Sequence, residues 1–287
     1  MVRGKKDKLF DYLIYIILAL VGLVALLPLL FVLGVSLTPF GEVLKNGGYI
    51  LIPESITFDA YKQLFSQEKI INSFGITIFI TVIGTIINLI LTTLMAYPLS
   101  RKNLPGRGIL LFIVVFTMLF NGGIIPTYLI VKETGLINSV WSMIIPNAIW
   151  SFNVLIMKSF FETLPEELFE SARLDGAKEF RILSQIVVPL SLPVMMTVGL
   201  FYMVGHWNEF FQAIMYVTDP NLHPLQVVVR DILMQSQDQL QENVDNMVPT
   251  ATMQMAAVII ASIPIILVYP FIQKHFTKGM LLGSVKG

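Results

Sequence analysis

Six stretches of this chain are long, apolar and nearly free of charge, and they set its class before any motif is read. The windows 12–35, 74–99, 109–130 and 251–272 hold no Asp, Glu, Lys or Arg. Window 139–158 ends on its single charge, Lys158, and window 189–217 carries only His206 and Glu209. A helix that crosses a bilayer needs roughly 20 predominantly apolar residues. Each window therefore suffices for one crossing. The expectation is an all-α polytopic membrane protein with six transmembrane helices in a single transmembrane domain over 1–287. Composition agrees: 13% of residues are charged, where a soluble domain carries about 25%. Arg3, Lys5, Lys6 and Lys8 before the first window resemble the basic start of a signal peptide. The apolar run is too long for one, however, and lacks a small-x-small cleavage site. It reads as an uncleaved helix, broken or bent near Pro28.

The same composition excludes several function classes. Nineteen basic and nineteen acidic residues leave no net charge, which argues against a nucleic-acid partner. The absence of cysteine removes disulfide, thiolate-zinc and cysteine-nucleophile chemistry. Three histidines without H-E-x-x-H leave no histidine metal motif. No G-x-x-x-x-G-K-[ST] is present to cradle ATP, and no G-x-S-x-G to present a serine. The reading is a non-enzymatic membrane component without a metal or cofactor of its own.

Basic residues set the expected orientation. With the N-terminus inside, fourteen of the nineteen Lys and Arg residues fall in inside segments. Only Lys45, Lys62, Lys69, Lys132 and Arg230 fall outside. Basic residues concentrate on the cytoplasmic side, so both termini are expected in the cytoplasm. Loop 36–73 is long enough for a short surface helix around Thr57 to Phe65, and loop 218–250 is long and polar.

The inside segment 163–188 does not read as a linker. Pro165 suits a first helical position, and Glu166 and Glu167 suit the positive end of the helix dipole. Leu168, Phe169 and Ala172 share a face. Gly176 stands where a left-handed residue would end the helix. A second short helix from Ala177 would place Phe180, Leu183 and Val187 on one stripe, with Pro189 at the start of the fifth span. The predicted unit is helix, tight turn, helix.

Within this segment, Glu170-Ser171-Ala172, then Gly176, then Ile186-x-Val188-Pro189 resembles the EAA loop of ABC importer permeases. That loop reads E-A-A, three residues, G, nine residues, I-x-L-P. The spacing agrees throughout, with Ser171 and Val188 as departures; Asp175 before the glycine is also common in the family. Trp207-Asn208-Glu209-Phe210 and the C-terminal run from Phe276 to Gly287 resemble the MalG-type permeases of carbohydrate importers. Within those, the LplC/YtcP-type group, associated with complex oligosaccharides, is the nearest in appearance. The resemblance implies a type I importer permease (MetI-like) fold in the bacterial plasma (inner) membrane. It implies that Glu170, Ser171, Ala172, Asp175, Gly176, Ala177, Ile186 and Pro189 form a coupling loop on a cytoplasmic ATPase. Small residues at Ser171 and Ala172 would permit close approach there. It also implies that the tail Gly283, Ser284, Val285, Lys286 and Gly287 reaches between two ATP-binding subunits, which hold the ATP and magnesium. The remaining implied partners are a second, homologous permease and an extracellular or periplasmic sugar-binding protein, with membrane lipid around the spans.

Other polar residues in the spans are candidates for a translocation path: Asn88, Asn121, Asn147, Asn153, Asn208 and Glu209. Each asparagine equally suits a hydrogen-bonded bridge between helices. Glu209 lies about 30 Å of helix from Pro189. It is either a path or gate residue or an interface residue that fixes the helix end beside Trp207. Gly122, Gly123 and Pro126 should break the third span, and Pro146 the fourth. A secondary transporter that uses Glu209 for ion coupling is the alternative. It is disfavoured because one acid and no internal repeat are little for that class. A purely structural scaffold would leave the loop unexplained.

Overall fold

The structure is a computed structural model that describes residues 5–238 and 250–283, with side-chain surroundings for 10–234 and 250–268. Among the described residues all regular structure is helical. The α-helices are α1 (Lys5–Ser36), α2 (Phe40–Lys45), α3 (Asp59–Phe65), α4 (Glu68–Ser100), α5 (Arg107–Leu119), α6 (Ile124–Glu133) and α7 (Ser151–Phe161). They continue with α8 (Glu166–Leu174), α9 (Glu179–Ile182), α10 (Val188–Leu190), α11 (Leu192–Trp207), α12 (Phe211–Tyr216), α13 (Leu225–Asp238) and α14 (Ala251–Gly283). Two 3-10 turns, Val140–Met143 and Ile145–Asn147, precede α7, and a π turn, Leu183–Val187, joins α9 to α10.

Three helical segments are long and apolar enough to cross a membrane by themselves: Phe10–Ser36, Glu68–Ser100 and Ala251–Val268, with mean hydropathy 3.1, 2.4 and 2.2. Three bent pairs meet the same test together. Arg107–Leu119 with Ile124–Glu133 bends by 114°, Val140–Asn147 with Ser151–Phe161 by 51°, and Glu179–Leu190 with Leu192–Trp207 by 84°. The breaks expected in the third and fourth windows are present. Gly123 has φ of +89°, a conformation costly for any residue with a Cβ. Its N–H is accepted by Asn121 Oδ1 at 2.8 Å. Pro146 sits in the second 3-10 turn. Two expectations are corrected. The first helix is not broken at Pro28: it is one helix of 32 residues with the proline inside it. The fifth window bends at Ser191 and ends its main helix at Trp207 rather than running on to Val217.

The chain divides into two compact units, Met1–Ile70 with Val229–Ile263, and Ile71–Val228 with Pro264–Gly287. In the first, Val35, Val43 and Ile50 form a small core with Phe31 and Met255. The surface helix expected near 57–65 is α3, which buries Ala60 and Leu64. Glu42 accepts Ser55 Oγ at 2.7 Å and the Glu54 N–H at 3.0 Å, and these bonds hold its carboxyl below the usual carboxylate range. None of the most apolar stretch of α1 is buried by the chain itself. A helix apolar on every face needs an apolar surrounding.

In the second unit, the end of α4 (Ala96, Tyr97, Leu99) packs with Met157 and Phe161 of α7, Phe169 and Ala172 of α8, and Val198 and Tyr202 of α11. A second cluster joins Ile80 of α4 with Met143, Ile144, Ala213, Val217 and Val227.

The segment 218–250, read as a polar loop, contains α13, with Leu225, Val228, Val229 and Ile232 buried. Their helical spacing is legible, but a loop-wide polar average hides it. Residues 239–249 lie outside the described residues.

Candidate functional site

The segment 163–188 folds as helix, turn, helix. Pro165 caps α8 from just outside rather than occupying its first helical position. At the other end Gly176 has φ of +78°. Its N–H reaches Arg173 O at 3.0 Å, and the Ala177 N–H reaches Ala172 O at 2.9 Å. These paired bonds are the Schellman arrangement, in which a left-handed residue returns the chain and satisfies the last carbonyls. Ser171 Oγ donates to Glu167 O at 2.6 Å.

The two faces of α8 differ. Phe169 and Ala172 are buried in the main cluster of their unit. Ala172 packs within the protein's own core. Glu170, Ser171, Asp175 and Gly176 are exposed, while Ala177 and Ile186 are half-buried and Pro189 is exposed. The second helix starts at Glu179 and lasts one turn before the π turn. Ile182, Leu183 and Val187 form its buried stripe, and Phe180 does not join it. The π turn changes the register, so a simple 3.6-residue count misplaces Phe180. Phe180 (74% exposed) and Leu174 (90% exposed) are instead exposed apolar side chains of the loop that sequence reasoning missed.

Charged and aromatic groups tie this loop to the end of α4. The Arg101 guanidinium lies 3.7 Å from the Phe169 ring centre and 5.0 Å from that of Tyr97. Tyr97 Oη donates to Glu179 Oε2 at 2.5 Å, and Arg173 Nε donates to Glu179 Oε1 at 3.1 Å. These bonds, that from Tyr97 foremost, hold the Glu179 carboxyl below the usual range. Glu166 sits 3.8 Å from both Arg101 and Arg173. Glu162 pairs with Arg107 and with Lys158.

The candidate path residues differ in burial and bonding. Asn88 is buried, and its Nδ2 lies 3.0 Å from His206 Nε2 on α11, so the amide donates to an unprotonated ring nitrogen. It bridges two helices. Asn153 on α7 is buried, and neither atom of its carboxamide has a partner. Asn121, Asn147 and Asn208 are exposed. Asn208 Nδ2 donates to Val204 O at 2.9 Å within its own helix turn. Glu209 is half-buried and accepts the Gln212 N–H at 3.0 Å, which fixes the start of α12. That bond lies at the start of the helix that follows α11.

A feature the sequence reading passed over is a polar seam along α4. Ser73, Thr77, Thr81, Thr85, Asn88 and Thr92 recur at helical spacing and are all buried. Thr77 Oγ1 accepts the Leu225 N–H at 2.7 Å. Thr92 Oγ1 lies 2.7 Å from Tyr202 Oη, which also accepts the Trp150 N–H at 3.0 Å. Thr81 Oγ1, Thr85 Oγ1 and Asn88 Oδ1 have no partner. Of the tail 283–287, only Gly283, the last residue of α14, lies within the described residues.

Residues 93–282, which hold the loop but begin just after the seam, match the family described as the binding-protein-dependent transport system inner membrane component. The chain belongs to that family. This permease is 46% identical over 286 residues to the polygalacturonan/rhamnogalacturonan transport system permease protein YtcP of Bacillus subtilis (strain 168), covering 98% of this chain and 100% of the relative. It is 45% identical over 291 residues to protein LplC of the same organism, covering 100% and 98%. Its fold superposes with a TM-score of 0.88, at 30% identity and with 96% and 99% coverage, on a chain of a bacterial ABC transporter involved in the import of the acidic polysaccharide alginate. The expected resemblance to LplC/YtcP-type permeases holds, and the fold is the MetI-like one. The permease is a non-catalytic membrane component, and nothing in these likenesses favours the secondary-transporter alternative.

Proposed function

We propose that this permease carries oligosaccharides across the bacterial plasma membrane as one half of an ATP-driven importer. The observation that carries the reading is the α8–α9 loop. It is held rigid by the Schellman turn and the Phe169 anchor, yet it turns Leu174 and Phe180 outward. A rigid element with an exposed apolar tip suits a cleft on an ATPase and can pass on rigid-body movement. The sugar class rests on the similar proteins, whose names include polygalacturonan/rhamnogalacturonan, galactooligosaccharides and the acidic polysaccharide alginate.

In this reading the three long helices and three bent pairs make six spans, near 12–35, 74–99, 109–130, 139–158, 189–207 and 251–272. Both termini are cytoplasmic, and 1–287 is a single permease domain. Loop 163–188 docks on one of two ATP-binding subunits, which hold the ATP and magnesium, and the tail 283–287 approaches them. A homologous permease completes the path, and a sugar-binding protein delivers cargo from outside near 218–250. Asn88, Asn153 and the threonines of α4 are the polar groups available inside the helices for sugar hydroxyls or water.

The test is purification of the permease from its native membranes in mild detergent, with mass spectrometry of the associated chains. An ATPase, a second permease and a binding protein should accompany it, and Leu174→Asp with Phe180→Asp should lose the ATPase. A wild-type chain that purifies without any ATPase overturns the reading.

A further inference from the structure

We propose that Arg101, with Tyr97 and Glu179, is the clamp that passes displacement of the α8–α9 loop to α4, and that Arg101 is a positioning residue for transport. The inference rests on the docking role proposed for that loop. Arg101 directly follows the last residue of α4, and Tyr97 lies in the final turn. Each half of the loop grips this turn by different chemistry. From α8, the Phe169 ring stacks on the guanidinium, and Glu166 faces it at 3.8 Å. From α9, the Glu179 carboxylate takes the Tyr97 hydroxyl at 2.5 Å. Arg173 closes the ring from α8 to α9 through Glu179.

Several observations separate this ring from an ordinary surface ion-pair cluster. The Arg101 side chain is only 13% exposed. Burial pulls its pKa down, a cost that the stacked rings and Glu166 offset. Beside the ring lies a cavity of about 450 Å³, with Leu94, Pro98 and Leu104 on one side and Phe180 and Leu183 on the other. Across that gap the loop and α4 are apart, and they meet through this ring and through the packing of Phe169 and Ala172 on Ala96, Tyr97 and Leu99. Beyond the clamp, α4 is bonded to α11 through Thr92–Tyr202 and Asn88–His206. A shift at Arg101 therefore has a connected route into the helices.

The test uses the complete importer in proteoliposomes, recording ATP hydrolysis and uptake of labelled oligosaccharide together. Arg101→Lys keeps the charge but loses the planar face that stacks on Phe169. We expect the ATPase to remain bound and active while uptake per ATP falls about fivefold, within the range that coupling residues command. Tyr97→Phe should lower the same ratio about threefold and Glu179→Gln at least as much, because Glu179 also holds Arg173, and the double variant should be no worse than Glu179→Gln alone. Wild-type uptake per ATP in Arg101→Lys overturns the clamp, as do losses that multiply in the double variant. So does release of the ATPase by Arg101→Lys, because Arg101 would then shape the docking surface rather than transmit through it. Should Arg101→Lys fail to assemble, the Tyr97→Phe and Glu179→Gln cycle decides by itself. Failure of the docking reading looks different: the wild-type complex would hold no ATPase.

Discussion

The α8–α9 loop and the seam along α4 both place polar groups among apolar neighbours, and they resolve that conflict in opposite ways. In the loop, Glu166, Arg173, Glu179 and Arg101 neutralise one another, and the helix end is closed by its own backbone. In the seam, Thr92 and one side of Asn88 are bonded, while Thr81, Thr85 and the other side of Asn88 are left without partners. Buried polar atoms normally find partners, and orphans call for water, ligand or a functional cost. The loop is thus built as a rigid lever. The seam is built with polar capacity to spare, as suits a surface that meets sugar hydroxyls or water in passing.

The largest effect should come from removing the anchor of the lever. Phe169 is fully buried, and Phe169→Ala is expected to cost about 3–5 kcal/mol. Thermal unfolding in detergent should read this as a marked fall in midpoint. An unchanged midpoint would mean that the loop is held from outside and not by its own core. The seam breaks differently. A Cβ at Gly84 would lie 2.5 Å from His206 Nε2, so α4 and α11 approach there only because Gly84 has no side chain. Gly84→Ala should destabilise by about 1–3 kcal/mol. Gly75 in the same helix has open space around it. Gly75→Ala should be neutral or gain up to about 1 kcal/mol from helix propensity. Equal effects at the two positions would show that close approach at Gly84 is not what holds the seam together.

The same contrast explains what the sequence discloses. The loop is legible because its signals are local: Pro165, the acidic first turn and Gly176 act within a few residues of where they stand. Its outer surface is less legible. Leu168 and Phe169 are adjacent apolar residues, yet only the second is buried, and the π turn rotates Phe180 away from the stripe it was assigned to. Apolar averages look alike whether straight or bent, and they hide the turn at Ser191 although Pro189 and Pro193, each in the first turn of its helix, flank it. The Asn88–His206 bridge joins residues 118 apart, and no spacing rule reaches that far. The threonine seam does have a helical period. Threonine's readiness to bond its own helix backbone hides that period in a single apolar run.

Within the seam, bonded and unbonded hydroxyls can be told apart by isosteric replacement. Thr92→Val removes the bond to Tyr202 and should cost about 1 kcal/mol. Thr85→Val removes a hydroxyl without a partner and should be neutral or stabilising. If Thr85→Val keeps the unfolding midpoint but lowers uptake, the free hydroxyl serves the path. If it destabilises as Thr92→Val does, the hydroxyl has a structural partner, and the seam is as closed as the loop.

The smallest effect is expected from protonating the lever. The Glu179 carboxyl is lowered from about 4.5, chiefly by the Tyr97 hydroxyl and then by Arg173. A carboxylate lowered in the folded state contributes stability that is fully present above its unfolded value and is lost as pH falls through the folded one. The unfolding midpoint of the wild type should therefore exceed that of Glu179→Gln near neutral pH, and the gap should close as pH drops below about 4.5. The gap should be small, because the Glu179 side chain is 57% exposed and water screens its partners. A gap that persists in acid would mean that the neutral acid holds Tyr97 as well as the carboxylate does. The grip on α4 would then depend on shape and on Arg101 stacking, and the charge ring would add little rigidity to distinguish the loop from the seam.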